Sequence, residues 1–213
     1  MNANKIAPFI GLIKSLENGF RQALLDKYDI DQVTMFITHA KESFKSISPL
    51  IPEVDEKSPW LKNIIAVAYE IGIWLQLEKS GMAIPEISEL TCEVLSDVMR
   101  QIPLAIRKRM KTASLSKSFV SEFAKESENL NHNDNWNVSL VCPKVSDSFE
   151  IGINIYTCPI VRMCETLGVQ RFAPYFCKND FVTYNVLGIQ LSRTQTLADG
   201  DEMCDFRLSD ITN

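Results

Sequence analysis

The sequence predicts an α+β fold: an N-terminal helical unit followed by a mostly antiparallel sheet of about five strands with one short inserted helix. Three observations predict it. Before Trp136, apolar residues recur at intervals of three and four, the period of a helix face. After Trp136 they alternate at intervals of two, the period of a half-buried strand. Between the two regimes lies Asn129, Asn131, His132, Asn133, Asp134, Asn135, a stretch dense in turn formers that marks a boundary. The organisation expected is a helical scaffold over 1–130 and an antiparallel α+β domain over 136–213.

In the first unit, Phe9, Ile10, Ile13, Leu16, Phe20 and Leu24 place an amphipathic helix from Ile6 to about Lys27. A second is expected from Asp31 to Ser46, with Phe36, Ile37, Ala40 and Phe44 on one stripe and Asp31 capping the first turn. Pro49 and Pro52 close it, and the polar segment through Lys57 is a connector. Ser58-Pro59 predicts a sharp helix start: the hydroxyl can satisfy an orphan amide, and proline gives up no bonded N–H at the first position. The residues that follow, Trp60, Leu61, Ile64, Ile65, Ala68, Ile71, Trp74 and Leu75, form a face too broad for a surface stripe, which makes this helix central. Gly81 ends it. A fourth helix runs from about Pro85 through Leu90, Val94 and Val98, where Pro103 is expected to kink it, and Ser118 to Leu130 forms the last scaffold helix.

In the second unit, Trp136, Val138, Leu140 and Cys142 alternate with polar neighbours, as do Phe149, Ile151, Ile153 and Ile155. The short bend from Pro143 to Ser148 makes these two strands antiparallel. Cys158-Pro159 leaves the sheet and starts a helix from Ile160 to Leu167, stopped by Gly168. Val169 to Phe176 is a short helix or irregular turn. Two further strands are expected at Phe181 to Val186 and Ile189 to Thr196, then a turn at Asp199-Gly200 and a closing strand from Met203 to Leu208.

Composition excludes several function classes. A chain of 213 residues with 46% apolar and 23% charged residues can bury a sizeable core and is not disordered. Its formal net charge of -5 argues against nucleic acid or an anionic membrane surface as the main partner. The basic run Arg107, Lys108, Arg109, Lys111 reads as a solvated helix end or as a local anion or partner patch. No stretch has the length of a membrane span and the amino terminus lacks a leader's apolar block, so a cytoplasmic location is expected. The 6 cysteines are then expected as reduced thiols, with Cys92 a buried small hydrophobe. No phosphate-loop, dinucleotide or metalloprotease motif is present. The cysteines lack a Cys-x-x-Cys pair and the two histidines, His39 and His132, lie far upstream, so neither a metal nor a cofactor is expected.

The C-terminal third carries the residues suited to chemistry. Cys158 stands at a helix amino terminus, where unpaired amides favour thiolate over thiol and so a nucleophile; the alternative is a structural thiol beside a proline turn. Glu165, like Arg162, lies on the side of that helix that can look back toward the thiol. Arg193 replaces an apolar residue on the core-facing side of its strand, and a buried guanidinium needs an anion. That anion is either a protein carboxylate, Asp180 or Asp205, or a substrate carboxylate. Cys177 precedes a polar turn at the mouth of the sheet, Cys204 points inward from the last strand, and Asp180 either orients a water or substrate amine or fixes its own turn. Candidate catalytic residues are therefore Cys158, Cys177, Glu165 and Asp180; candidate substrate-binding residues are Arg193, Asp205 and Cys204.

The order Cys158-Pro159, Glu165-Thr166-Leu167-Gly168, Phe176-Cys177-Lys178-Asn179-Asp180, Arg193-Thr194-Gln195-Thr196-Leu197-Ala198-Asp199-Gly200, Cys204-Asp205-Phe206-Arg207 is similar to the L-2-amino-thiazoline-4-carboxylic acid hydrolase family. The resemblance covers about Phe149 to Leu208. It implies an α+β fold and, for members of known activity, hydrolytic opening of a cyclic thiazoline on the route toward cysteine. Positions matching the motif are Cys158, Glu165, Gly168, Cys177, Asp180, Arg193, Gly200, Cys204 and Asp205, while Ile160 stands where an aromatic residue often follows the Cys-Pro pair. The expected partner is a small anionic molecule. Two other classes stay open: a small-molecule sensor that uses the same pocket without turnover, and a structural or partner-binding protein with Arg193 neutralised internally. The broad face from Trp60 to Leu75 is expected to be buried in its own chain, with a homo-oligomer interface as the alternative.

Overall fold

The computed structural model describes residues 6–56, 58–128 and 135–211. The expected linker residues 129–134, His132 among them, lie outside the described residues. Six helices come first: α1 (Ile10–Leu25), α2 (Ile30–Ile47), α3 (Leu61–Lys79), α4 (Ile84–Gln101), α5 (Leu104–Ser114) and α6 (Lys117–Glu128). Strands β1 (Asn137–Val141) and β2 (Ile151–Thr157) follow, then α7 (Pro159–Thr166), the single turn α8 (Ala173–Phe176) and α9 (Lys178–Val186). Strands β3 (Ile189–Ser192) and β4 (Cys204–Asp210) complete an antiparallel sheet in the order β1-β2-β4-β3.

Helix α3 is central, as its apolar breadth predicts. Tyr69, Ile71 and Trp74 have no exposed surface, and the indole Nε1 of Trp74 donates to the Thr91 hydroxyl of α4 at 2.9 Å. Helix α2 crosses it so closely at Gly72 that a Cβ there would meet the backbone oxygen of Ala40 at 2.7 Å, so the crossing depends on glycine. Phe172 packs edge-on and Phe176 tilted against Trp74, with ring centroids at 5.2 and 4.6 Å, and they join α3 to the chain after α7. One buried cluster thus extends from Ile6 through the helices to Leu208 of the sheet.

The sheet turns one face to that cluster. Ile153 pairs with Phe206 and Ile155 with Cys204, while Leu191 pairs with Leu208 on the other side of β4. Alternation at two puts all six on the inner face.

Several boundaries differ from the sequence reading, each for a local reason. The cap of α2 is Asp29, not Asp31: its carboxylate accepts from the Gln32 amide at 2.8 Å, and the Gln32 side chain closes the reciprocal bond. At Ser58-Pro59 the hydroxyl does accept from the Trp60 amide at 3.3 Å, but the regular helix opens two residues after the proline. Pro103 does more than kink: it separates α4 from α5, with an extended ψ of 138°.

The largest correction concerns Phe181 to Val186, which lies in helix α9 and is not a strand, so the sheet has four strands among the described residues. Phe181, Val182, Thr183 and Tyr184 have the β-branched and aromatic character of a strand, but packing against α4 and β3 overrides that preference. Strand β3 also stops at Ser192 rather than Thr196. Beyond it, the Asp205 side chain accepts from the amides of Thr194 and Gln195 at 2.8 and 2.7 Å, replacing the sheet ladder. Gly200, at φ 92°, then closes the turn. Cys92 is half-buried rather than buried. In the basic run, Lys111 pairs with Asp210 at 2.6 Å and ties α5 to the end of β4.

Candidate active site

A cavity of about 230 Å³ opens between the start of α3, helices α5 and α6, the inner face of the sheet, α7 and α9. Five sequence-selected residues meet there: Cys158, Cys177, Asp180, Arg193 and Cys204. Their convergence follows from local structure. Cys158 caps α7 directly after β2, Cys204 opens β4 opposite Ile155, and Arg193 continues the inward series Ile189, Leu191. Helix α9 presents Asp180, Thr183 and Tyr184 to the cavity and Leu187 follows on the same stripe, a spacing of three, one and three that only a helix allows.

The buried centre is an ion pair. The Arg193 side chain is 4% exposed; its Nη1 donates to Asp180 Oδ2 and its Nη2 to the Cys177 carbonyl, both at 2.9 Å. The rings of Phe181 and Phe206 lie 5.1 and 4.9 Å from the guanidinium carbon. Of the anions considered for Arg193, Asp180 is therefore its protein partner, and Asp205 is not. Asp180 keeps 33% of its side chain open and lines the cavity. Desolvation there pushes its carboxyl up to about 6, and Arg193 opposes the rise.

Burial also decides the state of the thiols. It raises Cys158 to about 11, against a lowering influence from the amides of Val161 and Ile160 at the start of α7. The helix terminus acts in the expected direction, but desolvation outweighs it. Burial likewise raises Cys177, with Asp180 adding to the effect, and Cys204, whose sulfur accepts from the Leu197 amide at 3.3 Å. At neutral pH these three are thiols.

Glu165 and Asp205 lie outside the cavity lining. Glu165 is exposed on the outer side of α7. For Asp205, burial pushes the carboxyl up, but hydrogen bonds from Gln195 and Thr194 hold it below the usual range, consistent with its place as the brace of the β3–β4 connection. His39 is exposed on α2. Among the described residues, no three His, Cys, Asp or Glu side chains are placed to hold a metal ion, and no helix is long and apolar enough to cross a membrane.

Further walls come from residues that the sequence reading did not select for the site. Trp60 and Trp136 meet edge to face at 5.6 Å, and both line the cavity with Lys62, Asn63, Phe119 and Tyr184. A second missed residue is Glu70 on α3, 1% exposed, whose Oε2 accepts from the Asn179 side chain at 2.9 Å, one residue before Asp180. The signal was a carboxylate in the otherwise apolar run from Ile64 to Trp74.

Burial pushes the Glu70 carboxyl from 4.5 to about 7, opposed by the Asn179 bond. Between those values the folded protein holds a proton that the unfolded chain has released. Stability from this group is therefore present below the unfolded value and lost as pH rises through the folded one. Wild type should lose about 3 kcal/mol more than Glu70→Gln between pH 4 and pH 8. Urea denaturation of both proteins across that range checks it, and parallel profiles would refute a raised Glu70.

Fold and cavity together define an α+β protein whose helices and sheet enclose a carboxylate–guanidinium pair ringed by three thiols. It belongs to the L-2-amino-thiazoline-4-carboxylic acid hydrolase family, whose model matches residues 65–208, about two thirds of the chain. The match runs from within α3 into β4 and so takes in much of the helical part as well as the motif region. No curated protein and no solved structure matches the chain.

Proposed function

We propose that this protein is a hydrolase that opens a small carboxylate-bearing cyclic thiazoline or a related amidine-like ring. The observation that supports this most strongly is the place of Asp180: its carboxyl lines a small cavity, paired with the buried Arg193 at 2.9 Å and pushed up to about 6 by burial, in a chain of this family. A group titrating there can take a proton at neutral pH and return it within one turnover.

In this reading the ring enters with its amidine-like C2 carbon toward Asp180. Asp180 takes a proton from a water as the oxygen bonds to C2. Collapse of the tetrahedral adduct breaks the bond from C2 to the ring sulfur or nitrogen; of the water's two protons, one goes to the nitrogen that was doubly bonded to C2 and the other passes to the leaving atom. The water oxygen becomes a carbonyl, so no oxidant or reductant is needed. Arg193 keeps Asp180 ionised and fixes its direction. Because Cys158, Cys177 and Cys204 rest as thiols, water is the preferred nucleophile, and a covalent route through Cys158 or Cys177 is the variant to test.

Purified protein incubated with L-2-amino-thiazoline-4-carboxylate is expected to yield the ring-opened product, gaining one water by mass spectrometry. Saturable binding with no product would instead assign the cavity to a sensor. Neither binding nor product would remove this substrate class.

A further inference from the structure

The charges that line the cavity do not cancel. Asp180 and Arg193 neutralise each other at 2.9 Å, and among the described residues that line the cavity the one other with a formal charge is Lys62. Among the described residues, the Lys62 ammonium makes no ion pair and no hydrogen bond. It stands at the mouth: exposed as a residue, yet crowded enough that burial lowers the ammonium's pKa with no nearby anion to offset it. Asn63, beside it on α3, also faces the cavity and can donate through its amide. Arg193, by contrast, already serves Asp180 and the Cys177 carbonyl and lies between two rings, so an incoming carboxylate would have to compete for it.

We infer that Lys62 is the anion-receiving residue of the cavity and that the ligand is a ring compound carrying a single carboxylate, held by Lys62 at the mouth while its ring reaches Asp180. One ammonium left over after internal pairing matches one negative charge, which the bound monoanion supplies. Lys62 and Asn63 precede the segment that matches the family, so this contact is additional to the matched pattern. The walls between mouth and floor are aromatic, with Trp60, Trp136 and Tyr184 providing faces for a flat ring.

The choice of probe rests on the hydrolase reading, but the readout does not. L-2-amino-thiazoline-4-carboxylate and its uncharged 4-carboxamide are titrated into wild type, Lys62→Met and Lys62→Arg, with Trp60 and Trp136 reporting binding by fluorescence. Wild type is expected to bind the carboxylate at least about tenfold more tightly than the carboxamide. Lys62→Met should lose that preference while binding the carboxamide as wild type does, and Lys62→Arg should keep most of it. The same pattern without turnover would sink the hydrolase reading and leave the Lys62 assignment standing. Turnover with an undiminished carboxylate preference in Lys62→Met would do the reverse. Failure of wild type to bind the carboxylate, or to prefer it, would overturn the assignment.

Discussion

Arg193→Ala is expected to cost about 3 kcal/mol of folding stability and to bring turnover of the thiazoline to background. The side chain is 4% exposed and holds three things at once: the Asp180 carboxylate, the Cys177 carbonyl and the contact with Phe181 and Phe206. Removing it leaves a carboxylate in a desolvated cavity without its counter-charge, which costs more than the pair itself contributed. The figure sits at the lower end for broken buried pairs because Asp180 retains some open surface. Arg193 supplies both of the influences that lower the Asp180 pKa, so without it the carboxyl rises further above its ordinary range and is a poorer carrier of negative charge. Arg193→Lys keeps the charge but not the two-pronged reach, and should fall between wild type and alanine. The double variant Asp180→Asn, Arg193→Met removes both charges and should recover much of the stability but none of the activity. Urea midpoints and turnover of the four proteins test this; an Arg193→Ala protein as stable as wild type would show that the pair is not buried as described.

How much of this was legible in the sequence depends on whether a residue's role is local. Cys158 at the amino terminus of a helix, the inward series Ile189, Leu191, Arg193, and the breadth of α3 all follow from short-range pattern. Helix α9 did not, because Phe181 to Tyr184 have strand-like side chains and their conformation is set by α4 and β3, which lie far away in sequence or later in the chain. The stripe Asp180, Thr183, Tyr184, Leu187 was present as a helical signal, but two of its members are polar, so it did not read as an apolar face. A protein partner for Arg193 could be narrowed to two aspartates from the sequence, with a substrate carboxylate as the alternative; choosing between the aspartates needed the turn after Ser192, where Asp205 is consumed by the amides of Thr194 and Gln195. The thiols show a competition of magnitudes. A helix terminus favours thiolate at Cys158, and only the enclosure of the site reveals that desolvation wins.

That balance separates two chemistries, and Asp180→Asn against Cys158→Ser and Cys177→Ser is the experiment that reads it. If Asp180 is the base, Asp180→Asn should lower turnover by about 10²- to 10⁴-fold, the range a positioned general base supplies. The two serine variants, made separately, should stay within about tenfold of wild type, because a hydroxyl preserves the cavity wall while removing only the sulfur. The pH profile gives an independent reading. A base must be ionised, so kcat/KM should climb with pH through about 6, the value at which burial sets Asp180, and level off above it. In Asp180→Asn that limb disappears. Were a thiolate at Cys158 the nucleophile, the rise would instead continue toward about 11, since the thiol must first lose its proton. A profile still rising at pH 9, together with an inactive Cys158→Ser, would transfer the reaction from activated water to a covalent thiol adduct. The carboxyl would then keep a single task, returning the proton to the departing ring atom.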